Sequence, residues 1–144
     1  MTTTKSKADL GLIAHLLRRA GFGATPMEMD RFSGMEYDEI VDHLLNFEVP
    51  DHIPQDFISR FHKDQSDLRL AEGARAHWVY RMVMTETPLR EKMCLFWHRI
   101  FATAGTKLIQ NRVVVNQINM FREKGIERFD DLLLALSKDP AMIM

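Results

Sequence analysis

Residues 87–105 read TPLREKMCLFWHRIFATAG, and this stretch shows how the chain builds its helices. Threonine followed by proline is typical of a helix start, because proline has a fixed φ and no N–H to leave unpaired at the first helical position. Gly105 is suited to end the helix, since glycine adopts the left-handed conformation of a C-cap at low cost. The stretch therefore predicts a helix from Pro88 to about Thr103. Helical spacing places Lys92, Arg99 and Thr103 on a narrow stripe that faces solvent.

The same start and stop signals recur along the chain. Thr25-Pro26 is followed by Glu28 at the third helical position, which completes a capping box. Gly21 and Gly125 follow apolar residues that recur at helical spacing, and both are suited to end a helix. Together these signals predict seven helices, over Ala8–Ala20, Pro26–Phe32, Glu36–Phe47, Asp67–Thr85, Pro88–Thr103, Ile109–Lys124 and Phe129–Ser137.

The regions between these helices give no sign of a sheet. Pro50 and Pro54 exclude a continuous helix there, so we expect an irregular connection with a short helical turn near 57–61. The β-branched run at 113–115 lies within a helical pattern. The fold class predicted is all-α, an irregular multi-helix bundle of about six to seven helices.

The last residues resemble another helix start. Asp139-Pro140 is followed by only four residues, too few for a useful helix. We therefore expect the natural protein to continue past Met144. Residues 1–144 would then be a single helical domain or the N-terminal part of a larger one, and the missing C-terminal part of the same protein would be a partner.

The composition of the chain limits the classes of partner that we expect. Nineteen Lys and Arg against 20 Asp and Glu give a net charge of −1, so the chain has no general attraction to nucleic acid. No apolar run approaches the roughly 18–20 residues that span a bilayer. We expect neither nucleic acid as a partner nor a membrane span. The N-terminus, MTTTKSK, lacks the apolar core of a signal peptide, which favours a cytoplasmic location.

Three blocks of the sequence resemble a known family. They are residues 15–26 (HLLRRAGFGATP), 88–103, and 129–142, and they resemble, in this order, the signatures of the bacterial domain of unknown function 1800 family. The central block usually reads Phe-Trp-His-x-His-Phe, and Ile100 stands here where the second histidine is common. The resemblance implies a helical fold and no particular reaction. Family members are typically several hundred residues long and often exported, so the chain resembles their N-terminal portion.

Glu91 and His98 are the first candidate site. They are seven residues apart, which places them on one sector of the predicted helix among apolar neighbours. A carboxylate near an imidazole suits acid–base catalysis or metal binding. The alternative is structural: each group finds a partner such as Arg18, Arg19 or Arg81 and holds helices in register, because burying an unpaired charge is costly.

Arg18, Arg19, Gly21 and Gly23 are the second candidate site. Basic side chains beside a glycine turn, followed by a helix N-terminus, are suited to bind phosphate. The order is helix–turn–helix, however, and the lysine of a P-loop is missing. The alternative is a simple helix C-cap.

Two functions stay open on this sequence. One is a scaffold or interaction domain, for which the ten methionines offer either an adaptable groove or plain core filling. The other is part of a hydrolase-like or metal-dependent enzyme whose site is shared with the missing C-terminal portion. His15 and His77 are secondary metal-ligand candidates beside His98, but no metal set is assigned, and the cofactor is unknown. Cys94 is interpreted as a core residue in preference to a nucleophile.

Overall fold

The computed structural model describes residues 9–48, 53, 71–101, 103 and 111–143. Within these ranges the chain forms eight α-helices and no strand, which confirms the predicted all-α bundle. The helices are α1 (Leu10–Ala20), α2 (Pro26–Ser33), α3 (Tyr37–Leu45), α4 (Ala71–Met84), α5 (Pro88–Ile100), α6 (Asn111–Lys124), α7 (Phe129–Leu136) and α8 (Pro140–Ile143).

The helix boundaries follow the local signals closely, with one clear difference. The prediction for α5 was too long at its C-terminus: the helix ends at Ile100, and Phe101 leaves the helical conformation with φ −98° and ψ 48°. The ring of Phe101 stacks on Trp97 and on Phe121, with centroids 5.8 and 6.2 Å apart. Packing of this ring therefore competes with a further helical turn. The turn predicted near 57–61 and the stop predicted at Gly105 lie outside the described residues.

The two Thr-Pro starts are built differently. At α2, the Thr25 hydroxyl accepts a hydrogen bond from the Glu28 N–H, and the Glu28 carboxylate accepts one from the Thr25 N–H. This is the predicted capping box. At α5, the Thr87 side chain caps nothing, and the Thr87 N–H instead donates to the Thr85 hydroxyl at 3.1 Å. Proline alone therefore marks the start of α5.

Two apolar clusters form the core, and α5 contributes to both. The first cluster lies between α1, α2 and α3, and Leu89 at the start of α5 packs against it. The second lies between α5, α6 and α7, where Cys94 is buried and Trp97 packs at its edge. The buried residues are Ile13, Leu17, Ala20, Phe32, Ile40 and Leu44 in the first cluster, and Cys94, Ile118, Phe121, Leu132 and Leu136 in the second.

The inner face of α4 differs from the one expected from the sequence. The apolar spacing of this segment suggests that Val79 or Val83 faces inward with Trp78. Both valines are exposed, and Trp78 is the residue that packs against the second cluster. The polar contacts of Trp78 and Arg81, described below, set the rotation of this helix.

Gly125 gives a direct test of the packing between α5 and α6. A Cβ atom at this position would lie 2.6 Å from Trp97 Cδ1 and still closer to the Phe121 carbonyl oxygen. Gly125→Ala is expected to lower the free energy of unfolding by about 1–3 kcal/mol, because the backbone or Trp97 must shift. The measurement is urea unfolding.

Gly34→Ala is the matched control. A Cβ atom there meets nothing closer than the Arg31 carbonyl oxygen at 3.8 Å, and its φ of −86° suits alanine. Its stability should be unchanged or higher by up to about 1 kcal/mol. Equal losses in the two variants would contradict this packing.

Candidate functional site

The carboxylate of Glu91 is the most highly connected polar group in the described part of the chain. Glu91 is fully buried on α5. Its Oε2 accepts hydrogen bonds from Trp78 Nε1 on α4 and from Arg122 Nη2 on α6, both at 3.1 Å. Its Oε1 accepts from Arg122 Nε and lies 3.5 Å from Arg81 Nε on α4. These four residues, here called the Glu91 cluster, join three helices through one side chain.

The positions of the partners follow from helical spacing. Trp78 and Arg81 are three residues apart, so both lie on the face of α4 that meets α5. Arg122 follows Ile118 by four residues and therefore shares the buried side of α6. The guanidinium of Arg122 offers two parallel donors to the carboxylate, a geometry that suits a buried ion pair.

One of these partners, Arg81, is among those expected from the sequence. Arg18 and Arg19, proposed with it, lie exposed on α1. Arg122 and Trp78 were missed. A signal for Arg122 was available, because a cation in the apolar stripe of Ile118 and Phe121 needs a buried counter-charge.

His98 shares the sector of Glu91 but makes no hydrogen bond with it in the described structure. Seven residues of α-helix place the two side chains about 10 Å apart along the axis. Trp78 contacts both: its indole N–H binds Glu91, and its ring meets the His98 ring edge to face at 5.1 Å. His98 Nδ1 is buried and has no hydrogen-bond partner among the described residues. Burial lowers the pKa of His98.

His15 and His77, the other candidate metal ligands, do not form a metal-binding group with His98 among the described residues. His77 lies beside the Glu91 cluster, and its pKa is lowered by burial first and then by the Arg81 and Arg122 guanidiniums, against the opposing effect of Glu91. His15 is exposed on α1. Within the described ranges, no group of three His, Cys, Asp or Glu side chains is arranged to hold a metal ion.

Cys94 is a core residue by every measure of its surroundings. It is fully buried, and its thiol donates to the Ile118 carbonyl oxygen at 3.2 Å. Burial raises the pKa of Cys94 to about 12. A thiol that stays protonated is a poor nucleophile.

The second candidate site, the turn after α1, presents carbonyl oxygens to a lysine. Lys92 Nζ donates to the Arg18 and Gly21 carbonyl oxygens at 3.0 and 2.7 Å. The Gly21 N–H is already bonded to the Leu17 carbonyl at 2.9 Å. Lys92, expected from the sequence to face solvent, thus anchors the negative end of α1 to α5.

The glycines of this turn are required by geometry. A Cβ on Gly21 would approach Pro88 Cβ to 3.0 Å, so glycine allows α1 to end against the start of α5. Gly23 has a φ of +117°, which is strained for other residues. Because the Gly21 N–H is bonded within the turn, it does not face a ligand.

A large apolar groove lies next to this turn. It has a volume of about 1070 Å³ and is bounded by the turn, α2, the end of α3 and the C-terminal half of α4. Met27 and Val83 on its walls are 79% and 75% exposed. Its apolar lining includes Phe22, Met27, Phe32, Leu44, Val79, Met82, Val83 and Met84, and Glu28, Arg31, His43 and Glu86 add polar groups.

The sequence matches one known protein family over most of its length. The model described as a protein of unknown function (DUF1800) matches residues 15–144, nearly the whole sequence. The chain belongs to the DUF1800 family. Comparison with curated proteins and with solved structures gives no match. Membership in DUF1800 confirms the resemblance in the three sequence blocks, and its description assigns no reaction to the Glu91 cluster or the groove. No helix among the described residues is long and apolar enough to cross a bilayer.

The environment of Cys94 gives a prediction. In the native protein at pH 8, a thiol reagent such as 5,5′-dithiobis(2-nitrobenzoic acid) should react with Cys94 at least 100-fold more slowly than in 6 M guanidinium chloride. The reasons are that the thiol is inaccessible and its raised pKa leaves little thiolate. Absorbance at 412 nm measures the reaction. Equal rates in both conditions would contradict a buried Cys94.

Proposed function

We propose that this chain is a scaffold or interaction domain of the DUF1800 family, in which the Glu91 cluster serves the fold and the apolar groove binds a partner. The observation that carries the proposal is that both carboxylate oxygens of Glu91 already accept hydrogen bonds. Both of its oxygens are occupied by donors from Trp78 and Arg122, and the residue has no exposure to solvent. An acid–base catalyst must come within hydrogen-bond reach of its substrate, which this carboxylate cannot do without breaking the cluster.

The groove supports an interaction role. Large apolar side chains that stay exposed in one concave region are typical of a binding surface. Met27, Met82 and Met84 line it, and methionine adapts to partners of differing shape. Val79 and Val83, one turn apart on α4, form an apolar ridge against which a second helix can pack.

The partner chemistry that fits is an amphipathic helical segment. Such a segment places apolar side chains at positions i, i+3, i+4 and i+7 into a hydrophobic groove. Arg31 and Glu86 lie among the groove's polar groups and offer contacts to the polar side of such a helix.

Peptide selection tests this function. Random 16-residue peptides displayed on phage are selected against the immobilised chain, and the enriched peptides are titrated by fluorescence anisotropy. We expect apolar residues at helical spacing, and at least tenfold weaker binding to Val83→Glu, because a charge then sits in the apolar contact. Leu134→Glu, which changes an equally apolar, 57% exposed residue on α7, is the control and should bind as the wild type does. No enrichment, or equal loss in both variants, would contradict the proposal.

His98 favours a second candidate, a hydrolase-like or metal-dependent enzyme that shares its site with residues beyond this chain. Its lowered pKa favours a neutral imidazole near pH 7, and Nδ1 has no partner in the described structure. A neutral imidazole can accept a proton in catalysis. On this reading, His98→Ala in the full-length protein abolishes hydrolysis of ester, amide and phosphate test substrates and leaves the chain folded. Wild-type turnover in that variant would exclude it.

A further inference from the structure

His98 occupies a position where protonation would leave a buried N–H without a partner at the contact between α4 and α5. Its ring lies edge to face against Trp78, with centroids 5.1 Å apart and an interplanar angle of 84°. The indole N–H of that same tryptophan donates to Glu91 at 3.1 Å. Any movement of the Trp78 ring away from His98 therefore also moves the donor of this hydrogen bond.

Protonation changes what the His98 ring needs from its surroundings. A neutral imidazole carries one N–H and one acceptor nitrogen, whereas the cation carries two N–H groups. His98 Nδ1 is buried and faces no acceptor among the described residues. In the cation, this buried N–H would be left without a partner.

Charged groups lie close to this junction, but burial alone is what lowers the pKa of His98. Among the described residues, the charged and titratable groups that meet here come from all three helices. They are His77 and Arg81 on α4, Glu91, Cys94 and His98 on α5, and Arg122 on α6. The two guanidiniums outnumber the single carboxylate, so the cluster already has a net positive charge.

We propose that the junction of α4, α5 and α6 is an acid-sensitive switch, in which protonation of His98 displaces Trp78 and weakens its hydrogen bond to Glu91. The switch loosens α4, which also carries Val79 and Val83 of the apolar groove. Acidification would thus change the groove without any substitution in it.

The direction of the pH dependence follows from proton linkage. Burial lowers the pKa of His98 in the folded chain, and burial with the neighbouring guanidiniums does the same for His77. The unfolded chain therefore binds more protons once the pH falls below about 6.5, the ordinary histidine pKa. Stability is greatest above that pH, decreases as the pH falls from about 6.5 towards the lowered pKa values, and levels off below them.

NMR spectroscopy and thermal unfolding test the switch on the whole chain. The chain has two tryptophans, so a ¹H–¹⁵N spectrum shows two indole resonances, which Trp78→Phe assigns. Between pH 7.5 and 5.5, the Trp78 resonance is expected to shift along the titration of His98. The melting temperature is expected to fall by about 5 °C in a chain of this size, with His98 and His77 each contributing about half.

His98→Phe keeps an aromatic ring against Trp78 and removes the titrating group. Because His77 still titrates, we expect the Trp78 resonance in this variant to shift much less than in the wild type and the fall in melting temperature to be smaller by about half. His98→Gln serves if the phenylalanine variant does not fold, and it should behave in the same way. His15→Phe, which replaces an exposed histidine on α1, should keep the full wild-type response.

Three results would overturn the switch. One is a Trp78 resonance that does not move over this pH range in the wild type. Another is an unchanged wild-type response in His98→Phe. The third is a pKa of His98, read from its ring protons, at or above 6.5.

Discussion

The buried carboxylate of Glu91 is the interaction on which the packing of α4, α5 and α6 depends. A charge in the interior is tolerated only when its hydrogen bonds are satisfied, and here Trp78, Arg81 and Arg122 surround both oxygens. Loss of one partner of such a pair typically costs about 3–5 kcal/mol, a large part of the 5–15 kcal/mol that stabilises an ordinary domain. The cluster therefore selects one rotation of each helix, which is why Trp78 faces inward and Val83 faces solvent.

The helices could be predicted from the sequence because their signals are local. The capping box of Thr25 and Glu28 spans three residues, and the predicted start at Asp139-Pro140 is present, with the Asp139 carboxylate accepting the Ala141 N–H at 2.8 Å. Contacts between distant residues were not predictable in this way. Arg122 is 31 residues from Glu91, and only the folded arrangement of α5 and α6 brings them together.

The candidate site was predicted in part for the same reason. Helical periodicity placed Glu91 and His98 on one sector of α5. It does not show which side chain lies between them. Trp78 contacts both, and its position depends on how α4 packs against α5. Helical spacing within α5 predicts that Lys92 faces solvent. Its ammonium group instead binds carbonyl oxygens at the C-terminal end of α1, a contact that only the folded chain creates. The groove could not be predicted from the sequence, because it forms only when four separate segments of the chain pack together.

A double-mutant cycle on Glu91 and Arg122 measures whether their buried ion pair holds α5 and α6 together. Urea unfolding is measured for Glu91→Gln, Arg122→Gln and the double variant, with the exposed pair Lys124 and Glu127 treated in the same way as a control. We expect the double variant to be more stable than the sum of the two single losses implies, with a coupling of about 1–3 kcal/mol. The exposed pair should show no measurable coupling. Losses at Glu91 and Arg122 that add within about 0.5 kcal/mol would contradict it.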